Sequence, residues 1–100
     1  MQIEFSKIAQ LTLRNQIEFL EMTWTNKQIV SLLQDVNKVT LDLKNGKFNQ
    51  FQRYSKDIRS ALIGKKHARM YFRKENENKI RILLFFDMRQ NPEKIIDLLR

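Results

Sequence analysis

The sequence predicts an α+β domain in which a helical hairpin packs on a small, mainly antiparallel sheet, in the order β-α-α-β-β-β-α. Two consecutive stretches in the first half place apolar residues at helical spacing. The second half switches to period-two alternation broken by short polar turns. Only two glycines and one proline occur in 100 residues, which favours regular elements over coil.

Gln2 to Phe5 alternates polar and apolar, as a short strand does, and Ser6 is positioned as a helix N-cap. Ile8, Leu13, Ile17, Leu20 and Trp24, with Leu11 beside them, form the stripe of a first helix. Thr25 with Gln28 three residues later reads as a capping box, and Ile29, Leu32, Leu33, Val36, Val39 and Leu43 form a second stripe. Gly46 suits the helix stop. The short connection makes the two helices antiparallel, with most of their apolar residues in the core.

Lys47 to Lys56 is polar and aromatic and reads as a loop. Strands are expected at Ile58 to Ile63, Ala68 to Lys74 and Lys79 to Met88, separated by turns at residues 64–67 and 75–78. Asn91 is suited to cap a closing helix with Pro92 at its first position, followed by Ile95, Ile96, Leu98 and Leu99. With helices on one face, the other face of the sheet is left partly open.

The length bounds the chain to a single domain, residues 1–100. With no cysteine, disulfides, thiolate zinc sites and thiol catalysis are excluded. No cofactor and no metal are expected. The N-terminus lacks a basic segment followed by an apolar run, and the longest apolar stretch, Ile82 to Phe86, is strand-sized. A cytoplasmic protein is the expectation. Net charge is +8, and its distribution is uneven. Residues 1–42 carry a net −1, residues 43–82 a net +9, and residues 83–100 balance. The sheet half therefore presents a positive field suited to an anionic partner: nucleic acid, a ribosome or an acidic protein segment.

Strict alternation sorts the strand residues by face. Ile80, Ile82, Leu84 and Phe86 share one face of the last strand with Ala68, Met70 and Phe72 of its neighbour. The opposite face then carries Arg69, Tyr71, Arg73 and Arg81 together with Leu83 and Phe85. Apolar residues beside a row of arginines fit a partner that covers the sheet. They also fit a C-terminal helix folded back over Leu83 and Phe85. Arg89 ends the last strand, where it either pairs with Asp87 across the turn or faces the working surface.

The element order, the segment Ala68 to Phe72 (ARMYF) and above all Phe86 to Pro92 (FDMRQNP) resemble the RelE/ParE superfamily of bacterial toxins from type II toxin–antitoxin pairs. The resemblance spans nearly the whole chain. It implies growth inhibition, the plasmid-stabilisation type of module, and a cognate acidic antitoxin whose C-terminal segment wraps the toxin through helices or an added strand. It also implies one of two targets: DNA gyrase for ParE-like members, or mRNA in the ribosomal A site for RelE-like members. Cleavage through a 2′-hydroxyl needs a base, a stabiliser of the phosphorane charge and an acid. Arg69 matches the family's phosphate-binding arginine, and Arg89 a second arginine after the last strand. His67 is the side chain suited to titrate near neutral pH. The lysines of the RelE pattern are missing from the strand Ile58 to Ile63, and Ile95 stands near the position of its C-terminal tyrosine. The resemblance therefore points nearer ParE, with Arg69, Tyr71, Arg73, Arg81, Leu83, Phe85 and Arg89 as target- or antitoxin-binding residues. The alternatives are an mRNA endonuclease using Arg69, Arg89 and His67, and a nucleic-acid-binding module without toxicity.

Overall fold

The computed structural model describes residues 1–23, 26–65 and 67–99. It contains β1 (Gln2–Phe5), α1 (Lys7–Thr23), α2 (Asn26–Lys44), a 3-10 turn (Phe48–Gln50), β2 (Gln52–Arg53), β3 (Ile58–Ile63), β4 (Ala68–Asn76), β5 (Lys79–Asp87) and α3 (Lys94–Leu99). The expected hairpin on a mainly antiparallel sheet is observed. The sheet order is β1-β5-β4-β3-β2, antiparallel except that β1 pairs parallel with β5 at the edge.

Four boundaries differ from the sequence reading. The segment read as a loop at Lys47–Lys56 folds into the 3-10 turn and adds the two-residue strand β2. The ordering force is aromatic: Phe48 and Phe51 both meet Phe72 edge-on, at 6.0 and 5.2 Å between centroids. β4 continues through Asn76, two residues past Lys74, so only Glu77 and Asn78 form the turn. β5 ends at Asp87, because the Asp87 side chain turns back to accept from the Arg89 amide at 2.9 Å. α3 begins at Lys94; Asn91 accepts from the Glu93 amide at 3.1 Å and leads Pro92 into a turn rather than directly into the helix. The capping box rests on Thr25, which, like Trp24, lies outside the described residues.

The hairpin ends are built as expected elsewhere. Ser6 Oγ accepts from the Ala9 amide at 3.0 Å, the N-cap bond of α1. α2 closes with Gly46 at φ +80°, the Gly46 amide donating to the Leu43 carbonyl and the Lys47 amide to that of Asp42. These paired bonds are a Schellman stop. Leu32, Val36, Val39 and Leu43 of α2 are buried, whereas Ile8, Leu11 and Leu33 of the two stripes are exposed.

The largest correction concerns β5. The pairing with β4 slips between Tyr71↔Leu84 and Phe72↔Ile82, so Leu83 is an extra residue. This β-bulge reverses the alternation beyond it. Ile80, Ile82 and Phe85 pack with the helical hairpin, while Leu83, Leu84 and Phe86 share the opposite face with Tyr71 and Ile95. Phe85, expected on the open face, is instead 3% exposed in the hairpin core and stacks on Phe5. Leu84 and Phe86, expected under the hairpin, take the other face.

α1 makes the bulge tolerable. β1 stops at the pair Phe5↔Ile82, leaving the edge of β5 beyond it without a strand partner. Ser6 Oγ donates to the Leu83 carbonyl at 2.9 Å, and Thr12 Oγ1 accepts from the Phe85 amide at 2.9 Å. The hydroxyls of Ser6, at the cap of α1, and of Thr12 thus satisfy backbone groups that would otherwise be buried without partners.

Candidate functional site

The face of the sheet opposite the hairpin divides into three zones. At the β1 side, cations and carboxylates alternate across three strands. Lys79 meets Glu4 at 2.8 Å, Glu4 meets Arg81 at 3.3 Å, Arg81 meets Glu75 at 4.0 Å, and Glu75 meets Arg73 at 3.3 Å. Arg73 and Arg81 are direct cross-strand partners, a repulsive placement on its own. Glu4 and Glu75 flank the pair and neutralise it. Glu75 is itself the extra residue of a second bulge, between the pairs Lys74↔Ile80 and Asn76↔Lys79. The Lys79 hydrogen bond holds the Glu4 carboxyl below its ordinary range.

In the middle zone, α3 lies on the sheet. Ile95, Leu98 and Leu99 pack against Tyr71, Leu83, Leu84 and Phe86. The C-terminal helix therefore folds back over this face, as one of the two sequence readings held, although it covers Leu84 and Phe86 rather than Phe85. Burial raises the Tyr71 phenol above its ordinary value.

The third zone, toward β2, is the basic one. Arg69 donates to Ser60 Oγ at 2.9 Å and to Gln52 Oε1 at 3.1 Å. Ser60 is buried, so the guanidinium is anchored at its base. Among the described residues no carboxylate lies within ion-pair distance of Arg69, in contrast to Arg73 and Arg81. Beside it stand Leu62, its cross-strand partner, and Tyr54, which meets Tyr71 edge-on at 5.2 Å; both are exposed. An anchored, uncompensated guanidinium next to exposed apolar and aromatic groups is suited to hold an anion on a partner surface.

The sequence reading missed Gln52, Tyr54 and Ser60. The period-two run Gln52-Arg53-Tyr54 was the available signal, masked by the polar composition around it. Arg69, Tyr71, Arg73, Arg81 and Leu83 do share one face. Arg89 does not join them. Asp87 accepts both from Arg89 Nε at 2.9 Å and from its terminal nitrogen, and the guanidinium sits 3.7 Å from the Phe19 ring centroid. It lies against α1, on the other side of the sheet from Arg69. The Arg89 hydrogen bonds hold the Asp87 carboxyl low, with a smaller contribution from His67. His67 is half-buried in the β3–β4 connection, where its carbonyl accepts from the Met88 amide at 3.0 Å. Arg69 and Arg89 therefore cannot address one phosphate in this conformation. Lys66 lies outside the described residues.

On the hairpin side, two open grooves meet at Phe5. One, of about 490 Å³, runs along α2 past Val30, Leu33 and Val36. The other, of about 520 Å³, runs along α1 past Leu13, Ile17 and Glu18. Among the described residues no carboxylate–histidine cluster could hold a metal, and no helix is long and apolar enough to cross a membrane.

The fold and its surfaces define a class first: a basic five-stranded sheet carrying a helical hairpin on one face and a short C-terminal helix on the other. That fold is shared with a chain of the solved structure described as "Chromosomal ParDE TA system from P. aeruginosa", at a TM-score of 0.68 and 16% identity. The superposition covers 87% of this chain and 95% of that one. No protein-family model matches the sequence, and no curated protein matches it.

Proposed function

We propose that this chain is the toxin of a type II toxin–antitoxin module, nearer ParE than RelE. A cognate acidic antitoxin neutralises it, and free toxin arrests growth by binding an essential target such as DNA gyrase. The observation that carries the reading is the shared fold with a chain of a ParDE system over 87% of the length. Two surfaces support it. The paired grooves at Phe5 suit the apolar face of an amphipathic helix, the kind of segment an antitoxin supplies. The net charge of +8 and the uncompensated Arg69 suit an acidic partner. The separation of Arg69 from Arg89 favours a binding toxin over a ribosome-dependent mRNA endonuclease.

The test is induction of this chain alone in a bacterial host, with mRNA ends sequenced and gyrase-linked DNA breaks assayed in the same cells. Growth arrest with DNA breaks and intact messages is the expected outcome. Codon-phased mRNA cuts without breaks would reassign the target to the ribosome. Normal growth would leave either a toxin that has lost its activity or a nucleic-acid-binding module.

A further inference from the structure

A cavity of about 200 Å³ lies between α1, the end of β5 and α3. It is several times the roughly 30 Å³ share of one water in the liquid. Phe19, Phe85 and Leu98 give it apolar walls. Its polar lining has an unusual member. Gln16 is 6% exposed, yet its carboxamide makes no hydrogen bond to any described residue. Buried amides are ordinarily paired. Among the described residues no buried side-chain nitrogen or oxygen is sealed without a partner, so the Gln16 amide keeps its access through the cavity it lines.

Of the other polar groups there, Thr12 and Asp87 are largely committed. Thr12 Oγ1 donates to the Ile8 carbonyl and accepts from the Phe85 amide. Asp87 Oδ1 takes the Arg89 amide and Nε, and Oδ2 takes a terminal guanidinium nitrogen. One acceptor site remains on Oδ2, and Arg89 neutralises the carboxylate's charge. The cavity thus has apolar and aromatic walls, a neutralised carboxylate with one spare acceptor, and the Gln16 amide as its buried free donor–acceptor pair, while Asn15 and Gln90, which also line it, are exposed. A free ion gains little in such a site. A flat neutral ring with a matching polar edge satisfies both the Gln16 amide and the spare acceptor.

We propose that this cavity binds a nucleobase carrying an exocyclic amine beside a ring nitrogen, as adenine does, through the Gln16 carboxamide. A glutamine amide pairs with that edge in two points, its oxygen accepting from the amine and its nitrogen donating to the ring nitrogen. The second amine hydrogen matches the spare Asp87 acceptor, and the walls take the faces of the base. The inference is independent of the toxin reading, since it uses neither the grooves at Phe5 nor the Arg69 surface.

The test is an NMR titration of the full, 15N-labelled chain with adenosine, inosine and, separately, a short single-stranded oligoadenylate. The Gln16 side-chain amide and the Gln90 backbone amide are the reporters. Saturable shifts with adenosine, and weaker ones with inosine, which lacks the amine, are expected. Gln16→Leu, and Gln16→Glu as a variant that keeps the shape but loses the donor, should each weaken binding by about tenfold or more. Shifts at Gln16 with the oligonucleotide but not the nucleoside would support a base presented within a chain. No shift at Gln16 with either probe in a well-dispersed spectrum would overturn the proposal, leaving a solvent-filled cavity. Equal responses to adenosine and inosine would overturn it too, as would shifts confined to the Arg69 face.

Discussion

Thr12 does at one position what a strand would otherwise do: it completes the backbone of β5 where β1 has ended. Thr12→Val keeps the shape and leaves the Phe85 amide buried without an acceptor, so urea denaturation should show a loss of about 1–3 kcal/mol. Gly64 is constrained twice. Its φ is +58°, and an added Cβ would stand 2.9 Å from Leu32 Cδ1. Its amide also donates to Asp35 Oδ2 at 2.8 Å, fixing the turn on α2. Gly64→Ala should cost about 1–3 kcal/mol by the same measurement. Arg69 makes no such structural demand, because its partners are a serine and an exposed glutamine. Arg69→Glu should leave the urea midpoint nearly unchanged while reducing growth arrest on induction. Full arrest by that variant would remove Arg69 from the working surface.

At the scale of elements, the hairpin and the three long strands were legible because their period is carried by many residues at once. The two bulges were not, because a bulge is one extra residue in a pairing, and no single strand reveals its partner's register. The error this caused at Phe85 has a measurable counterpart. Phe85→Ala should destabilise by about 3–5 kcal/mol, as removal of a buried aromatic does, rather than act only on partner binding. Arg69 was legible as a site candidate, whereas its anchors were not, since Ser60 and Gln52 come from different strands. The Arg73–Glu75–Arg81–Glu4–Lys79 ladder depends on ionised carboxylates. The folded-state values of Glu4 and Asp87 lie below their ordinary ones. Their contribution is therefore complete at neutral pH and is lost as pH falls through about 4 and below. Urea midpoints should stay level from pH 7 to about 5 and then decline, and Glu4→Gln should remove part of that decline.

For the whole molecule, on the proposed reading, a net charge of +8 carried mainly by the sheet half predicts association with an acidic partner that slows as salt rises. Stopped-flow association rates that stay constant with ionic strength would show that the basic face takes no part. α3 and α1 cover opposite sides of the same strand, so β5 is the central member of the fold. Its parallel neighbour β1 is the first strand made and β5 the last. At about 5–20 residues per second, a ribosome takes roughly 4–16 s to pass from one to the other. Throughout that interval β1 has no strand to join, and the Ser6 and Thr12 hydroxyls have no bulge to hold. The sheet therefore closes only after the last strand has been made, and until then the apolar face of the helical hairpin is without its cover.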